Sequence, residues 1–139
     1  MMNDYNDYYN QMSDMDRNAK SYTLEKDPYT AFVKGNSFKN LYDPYKNYKP
    51  FNVNPNNERE YSLLLVQTYG FIAHDLALYL DVNPGDDKAI QLREKYNNMY
   101  RQAVAEYEQK YGALSQSSEM LGAIPWQWDE NNFPWEGDK

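Results

Sequence analysis

The chain has 139 residues, a net charge of −7, no cysteine and 15 tyrosines. This length allows one small domain with tails. The absence of cysteine excludes disulfide scaffolds, thiolate metal sites and cysteine nucleophiles. An acidic chain repels nucleic acid on average, so we expect no nucleic-acid partner.

Residues 1–57 form an arm rich in tyrosine and asparagine, without helical or strand periodicity. We predict that residues 1–20 are disordered. Between Asp27 and Phe51, three prolines and Gly35 predict an extended or turn-rich path. Pro55 is expected to keep the chain out of helix until Glu58.

The next stretch, residues 58–112, predicts two long helices. In the first, from about Glu58 to Asp81, apolar residues recur at spacings of four and three, which indicates one buried stripe. This stripe contains Leu65, Tyr69, Ile72, Leu76 and Tyr79. A second apolar row on the same helix contains Leu64, Phe71 and Leu78.

A helix that is apolar on most of its circumference requires burial on more than one side. Three candidates can cover the first helix: the chain's own arms, a second copy of the chain, or a different protein. Polar residues such as Gln67 and His74 interrupt the apolar stretch 63–80, so we expect no membrane span.

The predicted turn between the helices is Asn83-Pro84-Gly85. Asn83 is a suitable N-cap, and Pro84 suits the first position of a helix that ends at Tyr111. Gly112 is placed as its C-terminal cap. So short a connection makes the two helices antiparallel neighbours.

The tail, residues 113–139, carries all three tryptophans in an acidic context. Tryptophan anchors interfaces because it buries a large area with few rotatable bonds. We therefore predict a partner-binding surface formed by Leu64, Phe71, Leu78, Trp126, Trp128 and Trp135. The alternatives are that the arms cover the second apolar row and that the tail folds back over the first helix.

The sequence contains no recognisable catalytic apparatus. His74 is the only histidine. A metal site needs a cluster of ligands, and a di-metal helix bundle needs a histidine on each of two helices. We therefore interpret His74 as a surface residue, and we predict no enzyme activity, no catalytic or metal-binding residue and no cofactor.

Sequence runs in the hairpin and the tail follow one order. They are Leu78-Tyr79-Leu80-Asp81, Pro84, Asp86-Asp87-Lys88-Ala89, Tyr96, the run from Glu106 to Leu114, Pro125-Trp126-Gln127-Trp128 and Pro134-Trp135-Glu136. In this order they resemble the CotJB family of bacterial spore coat proteins, over roughly residues 58–136. The family usually has proline at the position of Ala113, and Gly85 is an insertion before the acidic pair. Neither departure breaks the architecture.

A shorter run within residues 31–51 resembles the companion family CotJA. It consists of Lys34-Gly35-Asn36-Ser37-Phe38 and Leu41-Tyr42-Asp43-Pro44-Tyr45. This second resemblance implies that the chain joins two coat components that are normally separate.

The CotJB resemblance implies a structural protein of the spore coat, made in the mother-cell cytoplasm and deposited on the forespore. The third member of the group resembles a manganese catalase. The implied partners are therefore other coat proteins and a manganese-catalase-like protein, without catalase activity in this chain. The alternative is an accessory subunit that stabilises or gates that enzyme.

Together these patterns predict an all-α fold, an antiparallel two-helix hairpin with an irregular N-terminal arm and a tryptophan-rich C-terminal tail. The predicted units are the arm (1–57), the hairpin (58–112) and the aromatic tail (113–139).

Overall fold

The computed structural model describes residues 23–39, 41, 46–129 and 133–136. This part contains three α-helices: α1 (Pro28–Lys34), α2 (Glu58–Val82) and α3 (Asp87–Tyr111). Two short 3-10 turns follow, Glu119–Leu121 and Pro134–Glu136. The described residues form no strand beyond an isolated antiparallel bridge between Leu24 and Phe38. The all-α fold is confirmed, whereas the disorder predicted for residues 1–20 falls outside the described residues.

Helices α2 and α3 form the predicted antiparallel hairpin. Of the predicted stripe, Ile72, Leu76 and Tyr79 are buried, whereas Leu65 and Tyr69 are half-buried. Leu76 and Ala89 are fully buried near the turn, and Val66, Ala103 and Tyr107 form a second cluster toward the open end. Helix α2 begins at Glu58, as expected, because the Asn57 side chain accepts a hydrogen bond from the Glu60 N–H.

The turn differs from the prediction in its capping residue. Asn83 caps the C-terminus of α2, and the N-cap of α3 is Asp86. Asp86 Oδ1 accepts from the Ala89 N–H at 3.0 Å, and Oδ2 accepts from the Tyr79 hydroxyl at 3.0 Å. One carboxylate thus caps the helix and also accepts a hydrogen bond from a buried phenol. Helix α3 begins at Asp87, so the predicted helix start at Pro84 is wrong.

Part of the N-terminal arm is helical, which corrects the extended path predicted there. The Asp27 carboxylate caps α1 by accepting from the backbone N–H groups of Tyr29 and Thr30, and Pro28 occupies the first turn. Gly35, at φ 74°, ends the helix in the left-handed conformation that glycine adopts readily. The proline and the glycine that indicated an irregular path are the start and stop signals of a short helix.

This arm packs against α2. The rings of Phe32 and Phe71 meet edge to face with centroids 6.0 Å apart, and those of Phe38 and Tyr79 lie 5.3 Å apart. The buried Ser37 N–H donates to Asp75 Oδ2 at 2.9 Å. The arm therefore supplies much of the second surface that the apolar helix α2 requires.

Helix α2 spans 25 residues and is apolar enough by length and composition to cross a membrane, a criterion that buried core helices also satisfy. Here α3 packs on one side of it and α1 on another. The absence of a membrane span remains a prediction.

The first part of the tail closes the open end of the hairpin. Gly112 caps α3 as predicted, with its N–H donating to the Glu108 carbonyl. The Glu108 side chain accepts from the Leu114 N–H at 2.8 Å and from the Ser118 hydroxyl at 2.6 Å. Leu121 is buried. The tail is therefore fixed to the hairpin as far as the first 3-10 turn.

Candidate docking surface

The aromatic rings of the tail pack on one another. Phe133 lies at the centre, with Trp128 edge-on at 4.9 Å and Trp135 stacked parallel at 4.7 Å. Trp128 is half-buried, Trp126 is exposed, and Trp135 is 77 % exposed. The described residues 124–129 and 133–136 of the aromatic tail thus present a supported and accessible indole ring.

The second apolar row of α2 is divided by the arm. Leu64 is buried, Phe71 contacts Phe32, and Leu78 is 52 % exposed. The arm accounts for Phe71, and Leu64 lies beside the start of α1. The partner contacts predicted for the six residues remain a prediction. The structure places three of these residues, Leu78, Trp126 and Trp135, at its surface.

Sequence reasoning missed one exposed apolar neighbour of Leu78. Val82 lies one turn further along α2 and is also exposed. Residues four apart share a helix face, so Leu78 and Val82 form one patch beside the turn. The spacing alone could have found Val82, but the helix was expected to end at Asp81.

An open cleft of about 430 Å³ lies between α1, the first half of α2 and the extended segment before α2. Its lining includes Tyr29, Val53, Tyr61, Leu65 and Tyr69, and we call it the tyrosine-lined cleft. The Tyr29 hydroxyl donates to the Val53 carbonyl at 3.0 Å and accepts from the Val53 N–H at 2.9 Å. These two bonds hold the extended segment on α1. No local sequence pattern predicts this cleft, because it depends on a contact between residues 24 positions apart.

Two titratable groups in this part of the chain, Asp27 and Tyr96, have a pKa that differs from the ordinary value. The hydrogen bond from the Thr30 hydroxyl at 2.7 Å, together with the backbone bonds of the cap, holds the pKa of Asp27 below its ordinary value. Burial, reinforced by the neighbouring Tyr69, raises the pKa of the Tyr96 phenol. Asp27 is therefore ionised at neutral pH and serves the cap of α1.

Within the described ranges, no three His, Cys, Asp or Glu side chains lie together in a way that could hold a metal ion. His74 lies exposed on α2, as predicted.

Comparison with known proteins gives one match. The family described as CotJB protein matches residues 60–136, which is more than half of the chain and includes the hairpin and the aromatic tail. No curated protein and no solved structure matches the chain significantly. The match does not include the CotJA-like run, which stays a prediction. The chain therefore belongs to the CotJB family of spore coat proteins.

Proposed function

We propose that this chain is a structural component of the inner or intermediate spore coat that docks with other coat proteins, including a manganese-catalase-like partner. It would be made in the mother-cell cytoplasm and deposited on the forespore. The observation that carries this proposal is that aromatic and aliphatic side chains remain exposed although α2 already packs against both α1 and α3. Exposed apolar patches of this kind are typical of interaction sites.

Two surfaces support docking. The first is the patch of Leu78 and Val82 beside the turn, at the C-terminal end of α2. The second is the aromatic tail with Trp126 and Trp135. The patch lies on α2 itself, and the rings of the tail pack on one another. A partner therefore meets a largely preformed surface, and little ordering entropy is lost on binding.

The patch is tested with Leu78→Asp, expressed in the sporulating bacterium that carries this chain. Leu78 is 52 % exposed, so the variant should keep the helix content of the wild type by circular dichroism. We expect its amount in the extracted coat to fall at least about tenfold, because each 1.4 kcal/mol of lost docking energy is a factor of ten. Gln91→Asp, an exposed position on α3, adds the same charge on the other helix and should be incorporated normally.

Undiminished incorporation of Leu78→Asp would remove this patch from the proposal. The partner is tested separately, by purifying the wild-type chain from sporulating cells and measuring manganese and peroxide turnover in the material that accompanies it. A coat complex that contains no manganese and turns over no peroxide would remove the catalase-like partner from the proposal and leave the structural role.

A further inference from the structure

A basic segment of the arm lies exposed beside α1. Residues 44–57 contain two lysines, Lys46 and Lys49, and no acidic residue, although the whole chain has a net charge of −7. Every residue from 46 to 57 is exposed. We call residues 46–53 the strap. The strap is therefore a cationic surface on a chain that is acidic as a whole.

Hydrogen bonds to α1 fix the strap at two points. The Tyr48 hydroxyl donates to the Lys34 carbonyl at 3.2 Å, at the C-terminal end of α1. Near the start of α1, the Tyr29 hydroxyl exchanges two hydrogen bonds with the backbone of Val53. The residues between these points are therefore held in place, and they lose little conformational entropy on contact with a partner.

The residue that projects between the two points is Phe51. Its side chain is 84 % exposed, more than any other aromatic side chain that the structure describes. Pro50 restricts Lys49 to an extended conformation, in which residues two apart lie on the same side of the chain. Lys49 and Phe51 therefore share the side opposite Tyr48, and the strap presents an apolar ring and an ammonium group together.

Acidic side chains beside the ends of the strap already have partners. Asp27 lies in the cleft wall with Val53, and its carboxylate accepts hydrogen bonds from the Thr30 hydroxyl and backbone N–H. Glu25 forms an ion pair with Lys34 at 2.9 Å. These contacts engage the two carboxylates in the arm itself, and they leave Lys46 and Lys49 as the charges of the strap.

The two docking surfaces described above differ from the strap in charge. Exposed Asp81 adjoins Val82, and exposed Glu136 adjoins Trp135. An anionic lipid surface would repel both sites, but it attracts lysine and takes up an apolar ring at the headgroup boundary. Exposed charges farther away than about 8–10 Å are largely screened, so the local charge of the strap outweighs the net charge of the chain.

We propose that the strap binds an anionic lipid surface, with Phe51 inserted at the headgroup boundary and Lys46 and Lys49 beside the lipid phosphates. Single-stranded nucleic acid matches less well, because its recognition uses several ring faces on which successive bases stack. The strap projects one ring, and its other ring, Tyr48, is bonded to α1. This contact goes beyond the protein docking proposed above and does not depend on it.

The test is sedimentation of the purified full-length chain with vesicles over a lipid concentration series. Vesicles of phosphatidylcholine with phosphatidylglycerol are compared with vesicles of phosphatidylcholine alone. We expect binding to the anionic vesicles that weakens with rising salt, and little binding to the neutral ones. Each lysine at an anionic surface contributes a factor of about five to the partition coefficient, so Lys46→Gln with Lys49→Gln should lower it at least about tenfold.

Substitutions of Phe51 separate insertion into lipid from stacking on bases. Phe51→Ala removes the inserted ring and should lower the partition coefficient about tenfold. Phe51→Leu keeps an apolar side chain and should bind vesicles within about threefold of the wild type, whereas base stacking requires an aromatic ring. Because Phe51 is 84 % exposed, both variants should keep the helix content of the wild type by circular dichroism.

Two controls match these variants, and both should bind vesicles like the wild type. Lys95→Gln with Lys110→Gln removes the same charge from exposed positions of α3, and Trp135→Ala truncates the exposed ring of the acidic tail. No binding to anionic vesicles, equal binding to neutral vesicles, or an equal loss in the controls would overturn the proposal. Loss of vesicle binding in Phe51→Leu, with retention of a thymidine oligonucleotide by the wild type, would overturn it in favour of nucleic acid. Each of these results would leave the docking to coat proteins intact, because no other protein is present in the assay.

Discussion

The N-terminal arm and the aromatic tail are both short segments rich in aromatic residues, yet they use those residues in opposite ways. The arm inserts its rings against α2, where Phe38 is only 1 % exposed and Phe32 meets Phe71. The tail stacks Trp128, Phe133 and Trp135 on one another. Aromatic content alone therefore does not distinguish a segment that completes a core from one that offers a surface.

The difference follows from what surrounds the rings. In the arm, Asp27 and Gly35 fix a helix between two caps, and the Ser37 N–H is tied to Asp75 on α2. These polar contacts set the position of the neighbouring rings. In the tail, the bonds from Glu108 end at Ser118, and the tryptophans come after that point.

The largest expected effect is in the arm. Phe38→Ala removes a buried ring that packs on Tyr79, and it should lower the free energy of unfolding by about 3–5 kcal/mol. Phe51→Ala is the matched control, because Phe51 is the same residue type and 84 % exposed. Chemical denaturation followed by circular dichroism measures both. Equal effects for the two variants would mean that the arm is not part of the core.

Loss of the hydrogen bond between the arm and the hairpin should have the next largest effect on the free energy of unfolding. Asp75→Ala leaves the buried Ser37 N–H without its acceptor, which costs about 1–3 kcal/mol. His74→Ala changes the adjacent exposed residue and should be nearly neutral. Hydrogen exchange at the Ser37 amide gives a local measure, and unchanged protection in Asp75→Ala would contradict the role of this bond.

The predictability of the two regions also differs, for physical reasons. The hairpin followed from the sequence because the spacing of Leu65 to Tyr79 is a local pattern that neighbours cannot easily override. Helix α1 was not predicted, because Pro28 and Gly35 are also typical of irregular segments. With Asp27 as the N-cap, Pro28 lies in the first turn, and Gly35 ends the helix through its own left-handed conformation. The cleft depends on Tyr29 meeting Val53, a long-range contact that leaves no periodic signature. The exposure of Leu78 could not be predicted either, because it depends on where the arm packs against α2.

A smaller, pH-dependent effect is expected at the start of α1. Asp27→Ala removes the N-cap and should cost about 1 kcal/mol at neutral pH. Because the fold lowers the pKa of Asp27, its contribution is complete above the ordinary carboxyl pKa and is lost as the pH falls through the folded value.

The difference between wild type and Asp27→Ala should therefore shrink as denaturation is repeated from about pH 6 down to about pH 2. Asp81→Ala changes an exposed carboxylate that lies within α2 and caps no helix start, so its effect should not follow this profile. A constant difference for Asp27→Ala at all pH values would show that the carboxylate charge is not what stabilises the cap.

The smallest effect on folding is expected at the tail, and it completes the comparison with the arm. Trp135→Ala truncates the largest side chain type, but Trp135 is 77 % exposed and its main neighbour is Phe133 of the same tail. Exposed substitutions usually change the free energy of unfolding by no more than about 0.5 kcal/mol, so the midpoint of denaturation should match that of the wild type. A loss similar to that of Phe38→Ala would mean that the tail ring belongs to the core.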